Sequence, residues 1–151
     1  MYYFLNFNES SSKTKLFQVD FIVVYKDDIE PDESNISQFK YFLDAYKKSL
    51  KQKIDNKIQN KIRDILNEYD YTSLDELSIY AANKDSIWHN EAIAIIKWVE
   101  ENYKNMYSFI GAIVDENTIK YDYNFELTKL VIVEENSEST ESESTESDNN
   151  V

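Results

Sequence analysis

The sequence predicts an α+β fold in which a small antiparallel sheet packs on three helices. Strand-like alternation at both ends of residues 1–133 and helical periodicity between them lead to this prediction. Residues 134–151 differ, because they hold seven acidic residues, no basic residue and no aromatic residue. Such a segment cannot bury enough apolar surface to offset its ordering entropy. We therefore expect one domain over 1–133 and a disordered acidic Ser/Glu/Thr tail over 134–151.

Two apolar runs near the N-terminus predict a β-hairpin. Residues 2–7 are mostly aromatic, and residues 16–25 carry apolar side chains at alternate positions, which is typical of a half-buried strand. The polar residues 8–15 between them predict the turn. In one continuous strand a single face would carry Phe17, Val19, Phe21, Val23 and Tyr25.

Three helices are predicted in the middle of the chain. Apolar residues recur every three or four positions over 37–69, which predicts one long helix that either curves or breaks near its middle. Ser73 followed by Glu76 matches a capping box at the start of a short second helix. A third helix carries an apolar stripe from Trp88 to Ile110, with Asp85 or Ser86 as its candidate cap.

Residues 119–133 predict a final strand. Apolar and polar residues alternate over 119–128, and the apolar run at 130–133 extends the pattern. The apolar set is Ile119, Tyr121, Tyr123, Phe125 and Leu127. We expect this strand to complete the sheet, so that the elements follow the order β-β-α-α-α-β.

The composition excludes several classes of function. One glycine and one proline leave no residues for a P-loop or a dinucleotide-binding loop. The absence of cysteine excludes disulfides and thiolate chemistry. No run reaches the roughly 18 apolar residues of a membrane-spanning helix, so no membrane partner is expected. The net charge is −13, of which 134–151 contribute −7, so nucleic acid is a disfavoured partner.

No pattern in the sequence indicates catalysis. The single histidine, His89, falls on a polar helix face, and Glu91 is better explained as a hydrogen-bond partner of a nearby loop than as a catalytic acid. The acidic residues between Asp27 and Glu33 are explained as an exposed loop, since no cluster has the spacing of metal ligands. We therefore expect a protein that is not an enzyme and binds no cofactor or metal.

Five residues are candidates for contacts with other proteins. Lys53, Lys57 and Lys61 form a row beside the apolar stripe of the long helix. The row is either a solvated flank whose stems cover apolar neighbours, or an acceptor for an acidic partner such as residues 134–151. Trp88 and Trp98 are the other two, and the stripe predicts that Trp88 lies in the core. The surplus of aromatic surface predicts self-association or docking on a larger assembly.

Two segments of the helical region carry a resemblance to a known family. They are YDYTSLDELSIYA and WHNEAIAIIKW, and the matching positions are Tyr69, Asp70, Ser73, Tyr80, Ala81, Glu91, Ala92, Ala94 and Trp98. Over residues 63–107 the chain resembles small bacteriophage tail-associated structural proteins. It departs from them in lacking a glycine near the end of the first helix and in having Val99 and Glu100 where an Arg-Asp pair is common.

The resemblance implies a structural component of a phage virion, in the tail or in fibre attachment. Such a protein would occupy the virion, and the host cytoplasm during assembly, and its partners would be other virion proteins or copies of itself in a homo-oligomer. An alternative is an intracellular chaperone for tail or fibre assembly. A third hypothesis is an acidic DNA mimic that inhibits a host enzyme, which requires carboxylates held in a fixed array.

Overall fold

The computed structural model describes residues 1–133, and the predicted tail over 134–151 lies outside the described residues. The elements are β1 (Tyr2–Asn6), β2 (Thr14–Val19), β3 (Ile22–Lys26), α1 (Glu33–Glu68), α2 (Leu74–Ala82) and α3 (His89–Gly111). Two 3-10 turns follow, at Glu116–Thr118 and Asp122–Asn124. The predicted α+β class is confirmed, with all three strands before the helices.

The sheet is antiparallel, with strand order β1-β3-β2. Strands β2 and β3 form an N-terminal hairpin. The prediction of one strand over 16–25 is wrong, because the chain turns at Asp20 and Phe21 between β2 and β3. Asp20 has a φ of 50°, in the left-handed region that aspartate tolerates better than most residues. Consequently β1 pairs with β3 and not with β2, its neighbour in the chain.

Helix α1 is continuous, so the predicted alternative of a break near its middle is wrong. Its 36 residues give a length of about 54 Å. The helix begins before the predicted residue 37 because Asp32 caps it, accepting a hydrogen bond of 2.7 Å from the Asn35 backbone N–H. One buried stripe runs along it: Phe39, Leu43, Tyr46, Leu50, Ile54, Ile58, Ile62 and Ile65.

The other elements pack along this stripe. The sheet covers the N-terminal part of α1, where the rings of Tyr2 and Phe39 stack with centroids 4.0 Å apart. Helix α3 covers the C-terminal part, with the Tyr103 hydroxyl donating to Asp55 Oδ1 at 2.8 Å. It runs antiparallel to α1, because Tyr107, further along α3, lies against Lys51, which is earlier in α1. The sheet and the α2–α3 pair therefore lie at different ends of α1.

The predicted capping box of α2 is half right. Ser73 is the N-cap, and its Oγ accepts a hydrogen bond of 3.2 Å from the Glu76 N–H. The Glu76 carboxylate, however, accepts from the Thr72 N–H at 2.6 Å and the Thr72 hydroxyl at 2.8 Å. The reciprocal bond to the N-cap residue is thus replaced by a bond to the residue before it.

Helix α3 begins at His89, so the predicted caps Asp85 and Ser86 are wrong. The N-cap position falls on Trp88, which makes no side-chain capping bond. Because Trp88 precedes the helix, its ring packs on Tyr80 at 5.0 Å between centroids and stays 47% exposed. The prediction that Trp88 lies in the core is therefore wrong, whereas Trp98 is buried.

The predicted C-terminal strand is also wrong. Residues 119–133, here called the C-terminal segment, pair with no strand of the described chain, and the 3-10 turn at Asp122–Asn124 interrupts their alternation. Phe125 is buried, but Tyr123 is exposed although the alternation placed both on one apolar face. The segment lies beside α1 and α3, and its backbone is held by side chains of those helices.

Asn102 forms the most buried of these connections. Its side-chain amide donates to the Trp98 carbonyl at 2.8 Å and to the Thr128 hydroxyl at 3.0 Å, and its oxygen accepts from the Thr128 N–H at 3.0 Å. The Trp98 indole N–H donates to the Thr128 carbonyl at 2.6 Å. Side chains thereby satisfy both backbone groups of Thr128, as a neighbouring strand would do in a sheet.

We predict that Asn102→Ala lowers the free energy of unfolding by about 2–3 kcal/mol, because it leaves the Thr128 N–H without its partner. Urea denaturation followed by far-UV circular dichroism measures this change. Lys104→Ala on the same helix is the control, since Lys104 is exposed and should change stability by no more than about 0.5 kcal/mol. Equal effects of the two substitutions would contradict the role of Asn102.

Candidate interaction surface

The turn at Asp20 decides which side chains of the sheet face the core. The register pairs Val19 with Ile22 and Phe17 with Val24, so these four side chains share one face. All four contribute to the core built on α1. The inner face of the sheet therefore carries odd-numbered residues on β2 and even-numbered residues on β3.

The opposite face of the sheet is apolar on β1 and β3, whereas β2 contributes Lys15 and Gln18 to it. It carries Tyr3, Leu5, Phe7, Phe21, Val23 and Tyr25, which we call the outer sheet face. Apart from Val23, which is buried, none of the six belongs to the hydrophobic core. Phe7 and Phe21 are 51% and 68% exposed, with ring centroids 5.9 Å apart. Val23 is only 3% exposed, because it lies in the central strand among its neighbours. The prediction that Phe21, Val23 and Tyr25 share a face with Phe17 and Val19 is therefore wrong.

One end of the outer sheet face carries a cluster of charges around Asp27. Lys13 Nζ lies 4.1 Å from the centroid of the Tyr3 ring and 3.0 Å from Asp27 Oδ2. The Tyr3 hydroxyl donates to the same oxygen at 2.7 Å. The bond from Tyr3, together with Lys13, holds the pKa of Asp27 well below its usual range. The carboxylate therefore stays ionised at neutral pH, and it pairs both with Lys13 and with the Met1 ammonium, which lies 3.3 Å from Asp27 Oδ1.

Both edges of the sheet are partly occupied by side chains. At the β1 edge, the Tyr2 N–H donates to Asn35 Oδ1 at 2.8 Å and the Asn35 amide donates to the Tyr2 carbonyl at 2.9 Å. At the β2 edge, the Leu16 carbonyl, which lies at an irregularity in the strand, accepts from the Tyr121 hydroxyl at 2.5 Å. Occupied backbone groups hinder the addition of another strand. The outer face is thus more open to a partner than either edge.

The row of lysines predicted as an interaction site is only partly free. Lys57 Nζ donates to the Phe125 carbonyl at 2.8 Å, so it fixes the C-terminal segment to α1. Lys53 lines a cavity of about 290 Å³ with Tyr46 and Tyr121. Lys61 is exposed. The hypothesis that this row binds an acidic partner stays a prediction.

The two tryptophans do not form one surface. Trp98 is buried against the C-terminal segment, and it lines a cavity of about 460 Å³ between α3 and that segment. Trp88 lies at the α2–α3 connection beside Ile87, which is 84% exposed. Ile79 is exposed as well. This second apolar region belongs to a different part of the fold from the outer sheet face.

His89 and Glu91 have structural partners. The Tyr71 hydroxyl donates to Glu91 Oε1 at 2.6 Å, which ties the α1–α2 loop to α3. Burial and this bond raise the pKa of Tyr71. His89 Nδ1 lies 3.4 Å from the Tyr80 carbonyl oxygen. Within residues 1–133, no three His, Cys, Asp or Glu side chains are grouped so as to hold a metal ion. In that same range no helix has the length and apolar character needed to cross a membrane.

Comparison of the chain with family models, with curated proteins and with solved structures found no match. The resemblance over 63–107 therefore stays a prediction. The outer sheet face was not predicted from the sequence, although Asp20 was a usable signal. It is the only charged residue within the otherwise apolar run from 19 to 25, and aspartate is a common turn residue.

We predict that Lys57→Ala lowers the free energy of unfolding by about 1 kcal/mol, because the hydrogen bond to the Phe125 carbonyl is lost. Lys61→Ala, one helical turn further on, should stay within about 0.5 kcal/mol of the unmodified chain. Chemical denaturation of both variants at equal ionic strength makes the comparison. If the two lysines contribute equally, Lys57 does not anchor the C-terminal segment.

Proposed function

We propose that the protein is a non-enzymatic structural component of a bacteriophage virion, in the tail or in fibre attachment. It packs there against neighbouring proteins through the outer sheet face. The observation that supports this function is the pair of exposed rings, Phe7 and Phe21, on the sheet face that α1 does not cover. Apolar patches of this kind mark sites of protein–protein contact. The phage setting is supported by the resemblance of residues 63–107 and by no other observation.

The size of the outer sheet face sets the strength of the contact. Aromatic side chains have about 150–250 Å² to bury. Phe7 and Phe21, at 51% and 68% exposure, therefore expose together on the order of 200–250 Å². At about 25 cal/mol per Å², their burial contributes roughly 5–6 kcal/mol before the cost of association. The face thus supports a contact of moderate strength, which becomes stable when it is repeated in an assembly.

The same moderate strength favours a second candidate function. An intracellular chaperone for tail or fibre assembly binds its client transiently, and weak transient contacts have small interfaces. Both candidates use the outer sheet face, but they differ in the fate of the protein. A structural component stays in the finished particle, whereas a chaperone leaves before the particle is complete.

Quantitative mass spectrometry of purified particles from the source virus tests the proposal. We expect the chain in particles at a fixed ratio to the major tail proteins. Particles carrying Phe21→Asp should contain less of it, because burying a carboxylate in an apolar contact is costly. Ile87→Asp is the matched control, since Ile87 is exposed but lies away from the outer sheet face.

A chain that is abundant in infected cells and absent from particles would contradict the structural function and favour the chaperone. Equal incorporation of Phe21→Asp and the unmodified chain would contradict packing through the outer sheet face.

A further inference from the structure

We propose that residues 134–151, the acidic tail of the chain, bind the basic residues of α1 in the same molecule. The proposal goes beyond the proposed function and does not rest on it, because the contact lies within a single chain. It is carried by the charge of α1, the charge of the acidic tail and the place where the described chain ends.

Helix α1 carries a basic stretch over residues 40–63. Seven lysines and Arg63 face only Asp44 and Asp55 there, so the stretch has a net charge of +6 in a chain whose total is −13. All of its basic residues are exposed except Lys47, which is half-buried. Half of the 16 basic residues of the chain are therefore concentrated on the surface of this one helix.

The charge of the basic stretch is not neutralised within residues 1–133. None of its lysines, nor Arg63, forms an ion pair with another residue of that range. Lys57 Nζ donates to the Phe125 carbonyl oxygen, and Lys51 Nζ lies 5.1 Å from the centroid of the Tyr107 ring. Both of these partners are uncharged. The basic stretch therefore keeps its positive charge for an anionic partner.

The acidic tail supplies the complementary charge. Six glutamates and Asp148, without any basic residue, give it a charge of −7, which is close in size to the +6 of the basic stretch. The other residues of 1–133 are acidic overall and repel the tail. The basic stretch is therefore the part of the chain that attracts it.

The described chain ends near the C-terminal end of the basic stretch. Val133 lines the cavity between α3 and the C-terminal segment together with Lys97. Tyr103, six residues after Lys97, donates to Asp55. Because α1 and α3 are antiparallel, Lys97 lies level with Lys61, six residues after Asp55. The acidic tail thus starts beside the surface that it is proposed to bind.

The length of the tail favours it over an external partner. Eighteen residues span up to about 60 Å when extended, and a helical stretch of 24 residues extends over about 36 Å. Covalent attachment gives the tail a local concentration in the millimolar range. An acidic protein or a nucleic acid lacks this advantage and is also repelled by the net charge of −13.

Paramagnetic relaxation enhancement tests the proposal on the full chain. The chain contains no cysteine, so Ser142→Cys provides a single attachment point for a nitroxide near the middle of the tail. The spin-labelled and isotope-labelled chain is diluted into an excess of chain that carries neither label, so that only contacts within one molecule are observed. We expect the amide signals of the basic stretch to be broadened roughly twofold or more relative to those of α2, because α2 carries Asp75 and Glu76 and no basic residue.

Charge variants separate attraction from proximity. The broadening should disappear in about 1 M NaCl, where the Debye length is about 3 Å. It should also disappear when the tail is neutralised by Glu141→Gln, by the same change at the other five tail glutamates and by Asp148→Asn.

Lysine variants locate the contact on α1. Lys48→Gln combined with Lys61→Gln should weaken the broadening, because both lysines belong to the basic stretch. Lys15→Gln combined with Lys84→Gln is the matched control, since these lysines are exposed outside α1, and it should leave the broadening unchanged. All four positions are exposed, so both variants should stay folded by circular dichroism.

Equal broadening of α1 and α2 would overturn the proposal, and so would a preference for α1 that persists in about 1 M NaCl. Broadening that is lost on dilution into unlabelled chain would also overturn it, because the contact would then join two molecules. None of these outcomes depends on whether the chain is found in virus particles.

Discussion

The fold depends on the single apolar stripe of α1. One helix of about 54 Å cannot bury such a stripe by itself, so the sheet, α3 and the C-terminal segment are placed to cover parts of it. The sheet covers one end, and α3 with the C-terminal segment covers the other. Because α1 is the element that packs on the sheet, it covers one sheet face only. The uncovered face is therefore a consequence of the same constraint that organises the core.

The turn at Asp20 makes that uncovered face apolar. In a continuous strand over 16–25, the odd-numbered residues would all face α1, and the even-numbered residues would face solvent. The two-residue turn reverses the relation, so that Ile22 and Val24 face the core while Phe21 and Val23 face outward. A backbone conformation at one residue thus moves the Phe21 ring from the interior to the exposed side of the sheet.

The helical part of the fold was largely predictable from the sequence, whereas the C-terminal segment was not. Long periodic patterns define helices well, and the Ser73 cap follows from local chemistry. Alternation over 119–127 cannot distinguish a paired strand from an extended segment held by side chains such as Asn102 and Lys57. That distinction depends on tertiary contacts. The outer sheet face was missed because the alternation extends across Asp20 without interruption. The phage setting comes from the resemblance, which the fold neither strengthens nor weakens.

The central claim is that Phe21 and Phe17 lie on opposite faces of the sheet. Nuclear Overhauser contacts in a dilute sample of the isotope-labelled chain test it most directly. Cross-strand contacts between Val19 and Ile22, with the Phe21 ring close to Phe7 and far from α1, are the expected result. If the Phe21 ring instead shows contacts to Phe39 in the core beside Phe17, residues 16–25 form one strand. The outer sheet face would then not exist as described.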